Sequence, residues 1–436
     1  MMPDYGCGFW QCKLRYQTQE ELLEVAREYK RRGLPISVIV ADYFHWPHQG
    51  DWKFDKDYWP DPKAMVEELE SMGIKLMVSI WPTVDSESEN YKEMEELGYL
   101  SRNDFGKRMY QLGDAAVFDP TNPDARKFVW DKIKKNYYDD GIRIFWLDEA
   151  EPEFTNYEYS NHRFYLGSDL EIGNVFPREY ARMAYEGMEE AGQENIVNLL
   201  RCAWAGSQKY GTLVWSGDIH SSFRALREQV QAGINMGIAG IAWWTTDVGG
   251  FLGGYSESPT FRELLIRWFE WAVFTPVLRM HGARQPFEKL EEEFRNGVRQ
   301  FTSGQANEIF SYGDEIYTIL KKYVLLRQQL KEYLVSLTEA AHIKGIPLMR
   351  ALFLEYPYDP ACWEVKDEYL FGKDILVAPV TEEGQRKKVV YFPGDDIWIH
   401  ASDKSEYRGT TRAEVNAPLD KIPVFIRKGA DITFEL

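Results

Sequence analysis

The sequence predicts an α/β fold: a (β/α)8 TIM barrel with insertions after strands 3 and 4, followed by a small C-terminal β domain. Three observations predict it. Short apolar runs alternate with helix-period segments, the pattern of β-α units on a parallel sheet. Several of those runs end in a carboxylate, where a barrel presents side chains at its mouth; the run 144–147 followed by Asp148 is the clearest. The 436 residues exceed one ordinary compact domain. They fit a barrel of roughly 250 to 400 residues with a small domain appended.

The elements follow in order. The first strand ends in Gly8-Phe9-Trp10, and Thr18 caps a helix in which Glu21 completes a capping box. Leu22, Val25, Ala26 and Tyr29 keep helical spacing until Gly33. Strand 36–42, helix 62–72 and strand 74–82 come next, then an insertion over 83–119, too long for a plain connection. Helix 125–139 leads into the Asp148 strand, and 153–177, rich in Tyr and Asn, forms a second insertion. Helix 177–191, strands 196–201 and 213–215, helix 223–236 and a seventh strand over 238–244 continue the pattern. Segment 268–280 supplies the last strand region beside His281, and helix 307–334 closes the barrel, residues 1–344 in all. Residues 345–436 change to short β-like runs at 348–353, 374–380, 388–392 and 424–427, divided by Gly, Pro and Asp turns. This is a separate β-sandwich-like domain.

Composition excludes several function classes. A formal net charge of -18 lacks the basic face that a nucleic-acid partner requires. No apolar run of 18 residues spans a membrane, and the N-terminus has neither a basic start nor an apolar core that would direct export. Cys7, Cys12, Cys202 and Cys362 form no Cys-x-x-Cys pair, which suits a reducing cytoplasm and argues against a structural metal. Cys7 and Cys12 read as buried thiols rather than a bridge. A homo-oligomer is left open.

At the strand ends stand Asp42, Trp81, Asp148, Arg201, Asp218, Asp247 and His281. An aspartate there also caps helices, a reading that weighs most on Asp42 and Asp247, but seven such residues would need seven unrelated structural roles. Two acids in an aromatic-rich chain suggest glycoside cleavage, which needs one ionised and one protonated carboxyl. Asp148 and Asp218 fit. Strand alternation sends Glu149 away from the face used by Asp148, and Glu151 braces the site. Arg201 keeps a neighbouring carboxylate ionised, while an acid in a drier pocket beside Trp215 retains its proton. Most tryptophans read as core; Trp10 and Trp81 are the exceptions, placed at strand ends to meet a sugar face. His281 donates to a sugar hydroxyl or acts as a base, against the plainer role of a structural histidine. Gly249-Gly250 and Gly253-Gly254 lack the lysine and spacing of a phosphate loop.

Six segments resemble, in order, the motifs of glycoside hydrolase family 31, the retaining α-glycosidases. They are Gly8-Phe9-Trp10-Gln11-Cys12, the run from Trp146 through Asp148 to Pro152, that from Arg201 to Gln208, Trp215-Ser216-Gly217-Asp218, Asp247-Val248-Gly249-Gly250-Phe251 and Arg279-Met280-His281-Gly282. The resemblance implies Asp148 as nucleophile and Asp218 as general acid/base, with Asp42, Trp81, Arg201, Trp215, Asp247 and His281 lining the sugar subsite. It implies no metal and no organic cofactor, and an α-linked oligosaccharide or glycoside as substrate. The first motif and Ala150 resemble the α-xylosidase branch more than the α-glucosidase branch. Members of the family usually carry an N-terminal β-sandwich, whereas here the barrel motifs begin almost at Met1. The expected activity is an exo-acting α-xylosidase. An α-glucosidase, a transglycosylase or a sugar-binding protein without turnover are the alternatives.

Overall fold

A computed structural model describes residues 1–111, 115–154, 158–289 and 301–436, and the backbone of 294–295 and 298–299. Eight short strands make the central sheet: β1 (Phe9–Gln11), β2 (Val38–Ala41), β3 (Lys75–Ile80), β4 (Ile144–Leu147), β5 (Asn198–Leu200), β6 (Thr212–Trp215), β7 (Trp244–Thr245) and β8 (Leu278–Met280). They run β7-β6-β5-β4-β3-β2-β1-β8 with every pair parallel. The β7–β8 seam is joined by Thr245 Oγ1 donating to the Val277 carbonyl at 2.9 Å and by the Val248 amide donating to Arg279 O at 3.3 Å. The barrel thereby closes.

Side-chain alternation divides the core in two. Inward residues Trp10, Val38, Val40, Met77, Ile144, Trp146, Leu199, Leu213, Trp215 and Val277 form one cluster inside the barrel. Outward residues such as Ile39, Val78, Phe145, Leu147 and Leu200 join a larger cluster under the surrounding helices. Burial on both faces explains why these strands read as continuous apolar runs.

The helices are α1 (Gln19–Arg31), α2 (Pro62–Ser71), α3 (Pro123–Ile133), α4 (Phe176–Glu190), α5 (Phe223–Ile238), α6 (Pro259–Ala272), α7 (Asp314–Gln329) and α8 (Lys331–Lys344). Thr18 caps α1 by accepting from the Glu21 amide at 3.1 Å, and Glu21 reaches back to the Gln17 amide at 2.6 Å, one residue before the cap. Between β5 and β6 the connection is a 3-10 turn, Ser207–Tyr210, rather than an α-helix.

Three expectations are corrected. The seventh strand is only Trp244–Thr245, because α5 extends to Ile238. Segment 268–280 begins in helix and ends in strand: α6 runs to Ala272, turns follow, and β8 holds three residues. Trp268, Phe269 and Trp271 are all fully buried, since α6 is enclosed between the barrel and the C-terminal domain, where Arg267 donates to the carbonyls of Ala417 and Pro418. Only Glu270 interrupts the apolar run 268–274, a stretch too short to show a 3.6-residue period, so it looks like a buried strand. The closing helix divides into α7 and α8 around Leu330.

The two insertions meet. Arg102–Asn103, after β3, pairs with His162–Phe164, after β4, in a three-stranded sheet completed by Gly167–Ser168. The C-terminal domain has strands β9 (Met349–Arg350), β10 (Tyr369–Phe371), β11 (Ile375–Val377), β12 (Lys387–Phe392), β13 (Ile397–His400), β14 (Glu406–Arg408), β15 (Thr411–Asn416) and β16 (Val424–Arg427). An antiparallel sheet, β9-β10-β11-β16-β13-β14, and the separate pair β12–β15 contribute to a core around Leu376, Phe392, Trp398 and Phe425. Among the described residues no helix is long and apolar enough to cross a membrane, and all four cysteines are free thiols.

Candidate active site

The mouth of the barrel continues its inner core. One step of inward alternation beyond Val40, Ser79, Trp146, Leu199, Thr245 and Arg279 gives Asp42, Trp81, Asp148, Arg201, Asp247 and His281. Six strands thus deliver six polar or aromatic side chains to one tier at their C-terminal ends.

Asp148 is fixed by neutral donors. Trp81 Nε1 donates to its Oδ2 at 3.0 Å, and the Glu149 amide donates to its Oδ1 at 2.9 Å. Asp218 arrives by a different route. Gly217, at φ 71°, turns the chain after β6, and a Cβ there would meet nothing within 4 Å. The left-handed backbone, rather than space, is what selects glycine at that position. Asp218 keeps 38% of its side chain open to solvent.

Arg201 joins the two acids. Its guanidinium lies 3.8 Å from Asp148 Oδ1 and 3.3 Å from Asp218 Oδ2. It is closer to Glu149 Oε1 at 2.8 Å and to Glu151 Oε1 and Glu153 Oε1, each at 2.9 Å. Burial pushes Asp148 up to about 6 and Arg201 opposes that rise. Burial also raises Asp218, against the same arginine. Two neutral donors hold Asp148 and favour its carboxylate, while Arg201 is the hydrogen-bond donor to Asp218 among the described residues.

Opposite these acids lies a floor of buried, incompletely paired groups. Asp42 accepts from the Tyr43 amide at 2.7 Å and faces His281 Nε2 at 3.6 Å. Burial raises Asp42 well above the carboxylate range and holds His281 well below its usual value, so His281 is neutral. Asp247 pairs through Oδ1 with Arg279, and burial pushes it up to about 6. Asp247 Oδ2, His281 Nδ1 and Trp215 Nε1 are buried without a partner among the described residues. The two of these at the barrel mouth, Asp247 Oδ2 and His281 Nδ1, call for a polar partner. Arg284 holds the loops behind this floor by donating to the carbonyls of Val248, Gly250 and His281. Cys12, Asp42 and His281 present donor atoms within 4.8 Å of one another, the set with metal-ligand chemistry found among the described residues.

Two sequence-selected residues sit apart from the tier. Trp10 is fully buried, in register with Val38 and Arg279, and its Nε1 donates to the Tyr5 carbonyl at 2.9 Å. It is core, and Cys12 is the next inward residue of its strand. Trp215 lies against Trp146 with ring centroids 5.3 Å apart and beneath Arg279 at 5.7 Å. Glu151 reaches Arg201, and burial pushes it up to about 7.

Glu149 overturns its expectation. With φ at 52° the backbone departs from strand geometry, and the side chain returns to Arg201 instead of facing away. Sequence reasoning also missed Glu153, Gln111 and Arg279. Arg279 was legible two residues before His281 on one strand face; Gln111 lies in an insertion and carried no periodic signal.

The family models complete the picture. The glycosyl hydrolases family 31 TIM-barrel domain matches residues 1–337, and the family 31 C-terminal domain matches residues 345–432. A protein of Pseudescherichia vulneris named uncharacterized family 31 glucosidase ORF2 is 59% identical over 65% of this chain and 54% of its own length. The α-xylosidase of Saccharolobus solfataricus is 35% identical over 99% of this chain and 55% of its own length. The crystal structure of a family 31 α-xylosidase from a soil metagenome, complexed with xylose, superposes with a TM-score of 0.97 at 59% identity, covering 99% of this chain and 64% of that one. The chain spans just over half the length of the two curated relatives. With a barrel model and a C-terminal model matched in succession over nearly its whole length, the chain belongs to glycosyl hydrolase family 31.

Proposed function

We propose that this site performs retaining hydrolysis of a terminal α-linked sugar, with an α-xyloside as the substrate. Asp148 attacks the anomeric carbon while Asp218 gives its proton to the departing glycosidic oxygen. Water, deprotonated by Asp218, then cleaves the glycosyl ester and releases the sugar with its configuration retained. The observation that carries this reading is the attachment of both acids to one guanidinium, with only Asp148 also held by neutral donors. Asp247 and His281 offer the sugar hydroxyls their orphaned polar atoms, and Asp42 stands beside His281 to take a further one. A cytoplasmic setting suits four free thiols.

Xylose is preferred on two grounds. Two of the relatives described above are named α-xylosidases. In addition, Phe44, Trp46 and Trp81 pack as an aromatic cluster at the ends of β2 and β3, beside Asp42. Xylose lacks only the C6 hydroxymethyl of glucose, and a ring filling that space excludes the larger sugar. The relative named a glucosidase favours α-glucoside as a second reading. The test is kcat/KM on 4-nitrophenyl α-xyloside and α-glucoside. A ratio above about tenfold for the xyloside supports the first reading, since a missing group of this size is worth about 10- to 200-fold. The reverse ratio selects the second, and binding without nitrophenol release refutes both.

A further inference from the structure

The residue after Asp148 contributes in two ways. Glu149 has φ 52°, a conformation that a residue other than glycine adopts at a cost. That backbone aims the Glu149 amide at Asp148 Oδ1, 2.9 Å away, and turns the side chain toward Arg201. One carboxyl oxygen accepts from Arg201 Nη1 at 2.8 Å, and the other accepts from Gln111 Nε2. The whole residue is 5% exposed. Arg201 makes its short contacts, 2.8 to 2.9 Å, with Glu149, Glu151 and Glu153, and its longer ones, 3.8 and 3.3 Å, with Asp148 and Asp218. The glutamates anchor the guanidinium, and the two aspartates share what it presents.

Glu149 is the best fixed of those anchors. Glu151 and Glu153 keep 35% and 42% of their side chains open to solvent, while Glu149 keeps 7% and has Gln111 behind it. We propose that Glu149 is a positioning residue of this site, supplying an amide to Asp148 and holding Arg201 where one guanidinium serves both Asp148 and Asp218. The inference rests on the roles proposed above for those two aspartates.

The chemistry of the side chain indicates which substitution should preserve this. Burial, then the neighbouring Asp148, raises Glu149 above the usual carboxylate range. A glutamine keeps the length of the side chain and one acceptor oxygen. It accepts from Arg201 through that oxygen, and Gln111 can turn its amide to offer Oε1, which has no described partner, to the new NH2 group.

The experiment compares Glu149→Gly with Glu149→Gln. Glycine keeps the left-handed backbone without strain, so the first variant removes only the side chain. For 4-nitrophenyl α-xyloside, kcat in Glu149→Gly is expected to fall about 100-fold, the usual cost of a reacting group misplaced by about 1 Å. KM should change by less than about threefold, because the lost interaction serves the transition state. Glu149→Gln should return kcat to within about fivefold of the unaltered protein, as a neutral isostere with the same acceptor. A crystal structure of Glu149→Gly should show the Arg201 guanidinium displaced by about 1 Å or more. Gln111→Leu, which removes only the brace, should lose about tenfold by the same route. It keeps the question decidable if the glycine variant fails to fold.

An unmoved Arg201, an undiminished kcat in Glu149→Gly, or a Glu149→Gln variant as impaired as the glycine one overturns the proposal. If the unaltered protein cleaves neither glycoside, the functional reading fails by itself. The place of Arg201 in Glu149→Gly still decides whether Glu149 positions it.

Discussion

Arg327, fully buried, and Arg201, with 10% of its side chain exposed, stand at opposite ends of one barrel, and their partners differ in kind. Arg327, on α7, donates to the carbonyls of Cys7 at 2.8 Å, Val273 at 2.6 Å, Thr275 at 2.7 Å and Pro276 at 2.8 Å. Arg201 contacts five carboxylates. Burial without a counter-ion pulls Arg327 down to about 10. Burial would lower Arg201 too, but Asp218, Asp148, Glu151 and Glu149 together raise it above its ordinary value. Backbone carbonyls neither titrate nor swing, so the floor arginine fixes the chain where β1 and β8 begin. Carboxylates do both, so the mouth arginine manages charge. The same side chain is structural at one end and chemical at the other because of what surrounds it.

The largest effect should come from the mouth. Asp148→Ala is expected to reduce kcat on 4-nitrophenyl α-xyloside by about 10⁴- to 10⁶-fold with the fold intact, since a single member of a catalytic unit carries most of its effect. Activity near that of the unaltered protein would end the division between the two arginines.

At the floor the loss should appear in stability instead. Arg327→Met strands four buried carbonyls, and unfolding in urea is expected to register about 3 to 5 kcal/mol less stability. The surviving folded fraction should keep its kcat. An unchanged midpoint would mean that water replaces the guanidinium.

Arg201→Lys sharpens the contrast, because it keeps the charge and removes the fork that reaches several carboxylates at once. A fall of about 100-fold in kcat is expected, with a melting temperature displaced by less than about 4 °C.

The smallest effects concern protons. In the proposed mechanism Asp148 reacts as the carboxylate, so kcat/KM should fall as pH drops below about 6, and Trp81→Phe, which removes a donor to the carboxylate, should move that limb upward. Stability has the opposite sign. A carboxyl raised to about 6 in the folded state binds its proton more tightly than in the unfolded chain. It therefore favours folding at pH below about 4 and loses that contribution as pH rises to about 6. Asp148→Asn should accordingly melt about 2 to 4 °C higher than the unaltered protein at pH 7 and show no such gain at pH 4. Equal differences at both pH values would place the burden of burial on another group.

The site was more legible than the scaffold between its strands. Asp42, Asp148, Asp247 and His281 follow strand-like runs at positions set by period two, and that period survives to the last residue of each strand. Glu149 escaped because a single left-handed residue breaks the period immediately after Asp148. Trp10 was misplaced because its strand runs on to Gln11, leaving the indole below the mouth. Segment 268–280 failed for a reason of length: only the last five residues of α6 fall inside it, and with Glu270 as their one charged residue they show no helical period. The sequence signals no element between β5 and β6, and the connection there is a four-residue turn, Ser207–Tyr210, bounded by Gly206 and Gly211, both at positive φ.

The pairing of Arg102–Asn103 with His162–Phe164 has a practical corollary for redesign. Gln111, which supports Glu149 from one insertion, and Glu151 and Glu153, which open the other, belong to segments stitched together by backbone hydrogen bonds. Grafting a foreign loop in place of either segment alone would leave its partner without half a sheet and disturb the electrostatics at the reacting carbon. An engineer who wants the entrance to admit a different glycoside should transplant the two as a cassette.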